Sequence, residues 1–205
     1  LQNGLDNAEV LSRTAKRVVA GVTSHGVTFL RPGEIRHAGI GDTVIGGYTG
    51  VERREVVRIR DLLDEAGVPT EVSPDVRRDL WLKVIVNAAI NPLAALTRLR
   101  NGYLVRMPAL ARAMANVCAE AASIARAQGF NITDREAAGL AVKIARRTRE
   151  NKASMLQDVE RGRPTEIESI TGAILRVAEG HGLAAPLNAL LYGLVRGLER
   201  SGTVD

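Results

Sequence analysis

The sequence predicts a partial α/β unit followed by an all-helical domain. Over the first seventy or so residues, β-branched runs alternate with helix-like ones. From Ser73 to the end only helix signals remain. Composition agrees: aromatic residues make up 3% of the chain and apolar residues 45%. The core must therefore be built from Leu, Val, Ile and Ala, a palette that suits helices.

The elements follow in order. Leu1-Gln2-Asn3-Gly4 reads as a strand end entering a turn, and Asp6 to Ala15 as a short helix. Arg17 to Thr23 is β-branched and strand-like. Gly33 to Ala38 and Thr43 to Gly46, around a turn at Gly39-Ile40-Gly41-Asp42, read as a hairpin. Val51 to Ala66 has an amphipathic helical pattern, with Leu62 and Leu63 on its inner side. Val68 to Val72 is a short strand. Ser73-Pro74-Asp75-Val76 starts a helix, with Ser at the N-cap and Pro at the first helical position. Helices are then predicted over 74–97, 108–128, 134–160, 165–180 and 186–200. Gly129, Gly180 and Gly182 fall at helix ends. Thr165 and Glu168 have the spacing of a capping box. The domain boundary is therefore placed between residues 72 and 73.

Composition excludes several classes. The net charge is +5, but the charges are mixed along the chain. The basic cluster Lys143, Arg146, Arg147, Arg149 and Lys152 reads as a solvated helix face, and few aromatics are available to stack bases. Nucleic acid is therefore not an expected partner. The single cysteine, Cys118, excludes an intrachain disulfide and fits a reducing cytoplasm. Its neighbours are apolar, which argues against a nucleophile. No apolar stretch of membrane-spanning length is read, so no membrane partner is expected. No metal is called for. The Ala-rich helices at 108–128 and 186–200 can pack within one domain or against a second copy in a homodimer.

The chemistry concentrates in Lys83-x-x-x-Asn87-x-x-x-Asn91. A four-residue step on a helix advances about 400°, so each polar residue sits one turn above the last, rotated by about 40°. One ammonium and two amides thus form a polar ridge on an otherwise apolar helix. A lone lysine at a helix edge usually snorkels to water, and a buried asparagine often caps a neighbour. Three such residues in register point instead to an oxygen-rich ligand, because burying them without partners is costly. Pro92 frees the carbonyl of Ala88. Reduction of a carbonyl by hydride transfer would use these groups well: Lys83 as general acid, its charge offsetting the developing alkoxide, and Glu166 orienting it or adjusting its pKa. Glu166 also suits the first turn of its helix, and Asp158 reads as a local hydrogen-bond partner.

These residues resemble the ketopantoate reductase (2-dehydropantoate 2-reductase) family. The resemblance covers essentially the whole chain. It rests on Leu1-Gln2-Asn3-Gly4, Gly21-Val22-Thr23, His37 to Gly41, the Lys83/Asn87/Asn91 helix and Asn101-Gly102. It continues through Ser154 to Asp158 and Arg163 to Ile167. It implies NADPH-dependent reduction of ketopantoate in pantothenate biosynthesis. It implies a Rossmann-type cofactor domain ending in residues 1–72 and a helical domain of the 6-phosphogluconate dehydrogenase C-terminal kind over 73–205, with the active site in the cleft between. Lys83 matches the general acid. Asn87, Asn91, Asn101 and Ser154 match substrate-binding positions. Asn3 matches an asparagine shared by cofactor and substrate, Val27 a residue lining the cofactor, and Glu166 a glutamate that contacts the cofactor and supports the site.

One departure is large. The family opens with a strand and a Gly-x-Gly-x-x-Gly turn that cradles the pyrophosphate. Gly39-Ile40-Gly41 lacks the third glycine and the following helix. With no initiating methionine, the chain reads as a piece of a longer protein, expected to bind NADPH weakly and to be inactive by itself. Two other readings stay open: a reductase of another 2-oxo or 3-hydroxy acid, and a basic helical interaction module. The second accounts for the charge but not for the polar ridge.

Overall fold

The computed structural model describes residues 1, 3–39 and 41–201. Contacts divide the chain into two compact units, Leu1–Leu80 and Trp81–Asp205.

The first unit opens with α1 (Asp6–Ser12). Strands β1 (Val18–Thr23), β2 (Gly26–Arg31), β3 (Glu34–Gly39) and β4 (Thr43–Thr49) follow, then α2 (Arg53–Glu65) and β5 (Thr70–Val72). The sheet order is β1-β4-β5. β1 and β4 run antiparallel, with Val22 opposite Val44. β4 and β5 run parallel, with Ile45 opposite Val72. Parallel neighbours need a crossover, and α2 supplies it. The β4–α2–β5 unit is the repeating piece of a Rossmann-type sheet. Glu52 and Glu55 close a reciprocal capping box at the start of α2.

Several expectations are corrected here. Asn3 and Gly4 lie in a bend rather than a strand, and Gln2 lies outside the described residues. The hairpin joins β2 to β3, not β3 to β4, and forms its own two-stranded sheet with Val27 opposite His37. Its turn is Pro32-Gly33, where Gly33 holds a φ of 80° that a side chain would oppose. With Gly33 in the turn, the strand begins at Glu34, and β2 precedes the turn where the sequence predicts no strand. The predicted turn at 39–42 includes Ile40, outside the described residues. Leu62 is 65% exposed, and Val56 is the buried residue of α2 at 2%. Leu63 lies seven residues from Val56, two helical turns on, whereas Leu62 falls about 100° away from that line.

The helix α3 (Val76–Thr97) starts in the first unit. There Val76 and Leu80 pack with Ala8 and Ala20, with Val22 and Tyr48 against them. Its first turn is capped by Asp75, which accepts from the Arg78 amide at 3.1 Å. The cap is therefore two residues later than Ser73, whose hydroxyl accepts from the Asp75 amide at 2.9 Å.

The second unit holds the rest of α3 and then α4 (Asn101–Arg106), α5 (Pro108–Ala127), α6 (Asp134–Arg147) and α7 (Ser154–Glu160). A π-helical turn (Glu168–Gly172), α8 (Ala173–Gly180) and α9 (Pro186–Ser201) complete it. Val84, Ile85, Val86, Ala88 and Ala89 are all nearly inaccessible, so α3 is buried around most of its circumference. Leu104, Met114, Ile124, Met155, Leu156, Ile170 and Ile174 are likewise buried, an aliphatic core as composition requires. Trp81 and Phe130 meet at 6.1 Å between ring centroids. Glu120 accepts from the Leu187 and Asn188 amides at 3.0 and 2.8 Å and so caps α9 from a neighbouring helix.

The predicted helix 134–160 is two helices, separated at 148–153. The capping box at Thr165 is absent: Glu168 pairs instead with Arg176 and accepts from Tyr192 at 2.5 Å. Asn101 begins α4 rather than trailing α3. One helix, Val76–Thr97, is long and apolar enough to cross a membrane by length and composition, contrary to the sequence reading. Most of its apolar window, 72%, is buried inside the protein, so it serves as a core helix.

Candidate active site

The ridge on α3 survives folding as a boundary between core and solvent. Lys83 and Asn87 are half-buried and Asn91 is 6% exposed, while the intervening Val84, Ile85, Ala88 and Ala89 are packed away. Among the described residues, neither Asn87 nor Asn91 has a side-chain hydrogen-bond partner. Pro92 is buried within the same helix.

Burial pushes the Lys83 ammonium below its ordinary pKa of 10.5, and the carboxylate of Glu166 partly restores it. Glu166 itself is half-buried and sits in the bend before the π-helical turn. Its segment is well anchored. Thr165 donates from both its amide and its hydroxyl to Glu199, each at 2.7 Å. Ile167 is fully buried, and the Ile170 amide donates to the Glu166 carbonyl at 3.0 Å. π-Helical turns often occur at functional sites because they re-aim neighbouring side chains.

Asp158 joins this group. Burial raises its carboxyl pKa, the charge of Glu166 raises it further, and Arg161 and Arg163 oppose both. The fold thus places Glu166 within electrostatic reach of Lys83 and also of Asp158, although the three come from separate stretches of chain. The sequence reading treated Asp158 as a local partner only. The available signal was its position one turn after Ser154 on a short helix.

The other predicted residues are placed less uniformly. Ser154 is exposed at the first position of α7. Asn101 is buried and tied to the segment after α6. Its side-chain nitrogen donates to Thr148 Oγ1 at 2.9 Å and its amide to the Asn151 carbonyl at 3.1 Å. Its Oδ1 is buried without a partner among the described residues. Asn3 and Val27 belong to the first unit. The Asn3 carbonyl accepts from Asn7 at 2.7 Å, and Val27 is 55% exposed on β2. Cys118 is fully buried, with its thiol pushed up to about 12, which keeps it protonated and inert.

The family comparisons decide what this arrangement belongs to. Residues 75–199 match the profile "Ketopantoate reductase PanE/ApbA C terminal", and residues 1–50 match "Ketopantoate reductase PanE/ApbA". The chain belongs to the ketopantoate reductase family. The 2-dehydropantoate 2-reductase of Archaeoglobus fulgidus is 38% identical over 199 residues, which is 97% of this chain and 67% of the relative. The chain thus spans about two thirds of that relative's length. The PanE/ApbA family ketopantoate reductase of Ralstonia eutropha JMP134 superposes with a TM-score of 0.86 at 34% identity, covering 100% of this chain and 67% of that one. The fold is shared more widely. A D-mandelate dehydrogenase, solved with NADH and anilino(oxo)acetate, has a TM-score of 0.94 at 23% identity, with 100% and 68% covered. The architecture of this ketopantoate reductase family member is therefore part of a Rossmann-type domain followed by an all-helical domain. The family comprises NAD(P)-dependent oxidoreductases that act on small molecules.

Proposed function

We propose that the protein reduces 2-dehydropantoate to pantoate with NADPH, and that Lys83 is its general acid. The observation that carries this is a half-buried ammonium, depressed in pKa and paired electrostatically with Glu166, with the Asn87 and Asn91 amides one and two turns along the helix and without side-chain partners among the described residues. A desolvated lysine gives up its proton more readily than an exposed one, which suits an acid that must work near neutral pH.

The described residues fit the ring end of a nicotinamide cofactor better than its phosphates. Val27 offers exposed apolar surface and Asn3 an amide, while no glycine-rich phosphate turn occurs in the sequence. Asn3 and Val27, with Glu166 from the family match, are the residues we assign to holding it. When bound, NADPH supplies the hydride that adds to the carbonyl carbon of the substrate. Lys83 Nζ–H then protonates the oxygen that receives the carbonyl electron pair, and the lysine is left neutral until solvent reprotonates it. Before transfer, the Lys83 charge offsets the negative charge growing on that oxygen. Asn87 and Asn91 donate to the substrate's carboxylate and hydroxyl. Ser154 and Asn101 complete the substrate positions. Glu166 holds the ammonium in place and keeps its pKa from falling further.

Residues 1–72 are assigned to the cofactor domain and 73–205 to the catalytic domain. A cytoplasmic location follows from the proposed metabolic role. A homodimer is supported by Leu187, Leu190 and Leu194, exposed along one side of α9.

The test uses the protein expressed from its full reading frame. Loss of NADPH absorbance is followed with 2-dehydropantoate and with a panel of other 2-oxo acids. Preferential turnover of 2-dehydropantoate, abolished in Lys83→Ala, is expected. Turnover of another acid alone would retain the chemistry and replace the substrate. No turnover with cofactor shown to bind would refute the assignment.

A further inference from the structure

Away from the ridge, the α3–α4 corner and the segment after α6 line an open cavity of about 440 Å³. Its walls include Arg98, Arg100, Arg106, Arg149, Tyr103 and one carboxylate, Glu150. None of Lys83, Asn87, Asn91, Ser154 or Glu166 lines it. The volume suits a small ligand rather than a nucleic acid duplex.

The charge here is unbalanced. Among the described residues, Arg98, Arg100 and Arg106 have no carboxylate at ion-pair distance. Arg149 has Glu150 at 3.4 Å, but both side chains are well exposed and such a pair is weak. Four exposed guanidiniums face one hollow that holds a single carboxylate, Glu150, and none of them can shed its proton.

The walls are also held in place. The Gly102 amide donates to the Arg149 carbonyl and the Asn101 amide to the Asn151 carbonyl, each at 3.1 Å, and Arg100 bonds to the Glu150 carbonyl. A Cβ on Gly102 would lie 2.8 Å from that of Arg149, so only glycine permits this approach. Arg98 has a φ of 56°, the single left-handed non-glycine residue among those described. Glycine would take that position at lower cost, yet it carries a guanidinium.

We propose that this cavity binds a small polyphosphate, either inorganic or the polyphosphate end of a nucleotide. Guanidiniums match phosphate oxygens in bidentate fashion, and Tyr103, 45% exposed, gives an aromatic wall for an attached base. The site is independent of the reductase assignment.

Calorimetric titration of the whole protein with inorganic triphosphate tests it, in wild type, Arg98→Gly and Arg106→Gln. One site is expected, weakened about tenfold by either substitution and further by added salt. Arg98→Gly relieves the backbone, so its melting temperature should not fall, which separates lost binding from lost folding. Binding should persist in Lys83→Ala and with saturating NADPH. Tighter binding of adenosine triphosphate would identify the nucleotide as the source, and equal binding the inorganic ion. Absence of binding at millimolar triphosphate would overturn the proposal. So would indifference to both substitutions, displacement by NADPH, or tighter binding to duplex DNA.

Discussion

The helical unit carries two cationic regions built on opposite terms. On the α3 ridge a single ammonium is half-buried, lowered in pKa by desolvation and opposed by the carboxylate of Glu166, brought from the segment after α7. At the α3–α4 corner several guanidiniums stand around a hollow with little opposing charge. Lysine under desolvation can trade its proton, whereas arginine keeps its charge under any conditions a protein meets. The first arrangement suits proton transfer and the second suits fixed attraction of anions. A similar local charge therefore serves different ends, according to burial and side-chain chemistry.

The largest effect should come from removing the transferable proton. Lys83→Ala is expected to lower kcat by about 10²–10⁴-fold, the range for general-acid catalysis, with a modest change in melting temperature. Lys83→Arg should not rescue it, because a guanidinium retains its proton. Recovery of activity in that variant would mean that charge alone matters on the ridge and would erase the contrast.

Asn101→Ala comes next. The side chain ties α4 to Thr148, and losing that buried hydrogen bond should cost about 1 kcal/mol, read as a lower denaturant midpoint. A rise in KM should accompany the loss, because Asn101 is assigned to the substrate; an unchanged KM would remove it from the substrate positions.

Glu166→Gln should displace the pH profile. Glu166 raises the Lys83 pKa, so its removal lets that pKa fall further. Rate declines as the acid deprotonates, and the decline should therefore move to lower pH in the variant. The same substitution removes a contribution that raises Asp158, whose pKa should fall.

Stability carries the same signature. A lysine whose folded pKa lies below its unfolded one binds fewer protons in the folded state. Stability should rise with pH between the lowered value and 10.5, then level off. Lys83→Met should remove that rise, as seen by comparing the two proteins' urea midpoints across the window.

The smallest effect is expected at the corner. Arg98→Gly should stabilise the chain by roughly 1 kcal/mol, by relieving a left-handed backbone. Unchanged stability would mean that the guanidinium offsets its own strain through contacts in the folded protein.

The sequence by itself determined what is local. Helical periodicity is set by neighbours along the chain, so the register of Lys83, Asn87 and Asn91 and the helical character after Ser73 were legible. So was the aliphatic core, because it follows from composition. Tertiary structure alone decided what joins distant segments. β3 could be matched by turn chemistry to either neighbour, and the Pro32-Gly33 turn paired it with β2. Leu62 and Leu63 are equally apolar, and only the packing of α2 chose between them. The charge of Glu166 reaches Lys83 from far along the chain, and Thr165, Ile167 and Ile170 anchor the segment that carries it. The arginines of the corner cavity lie on two segments that no local pattern relates. Hydrogen bonding and burial act through space, and sequence spacing does not record that distance.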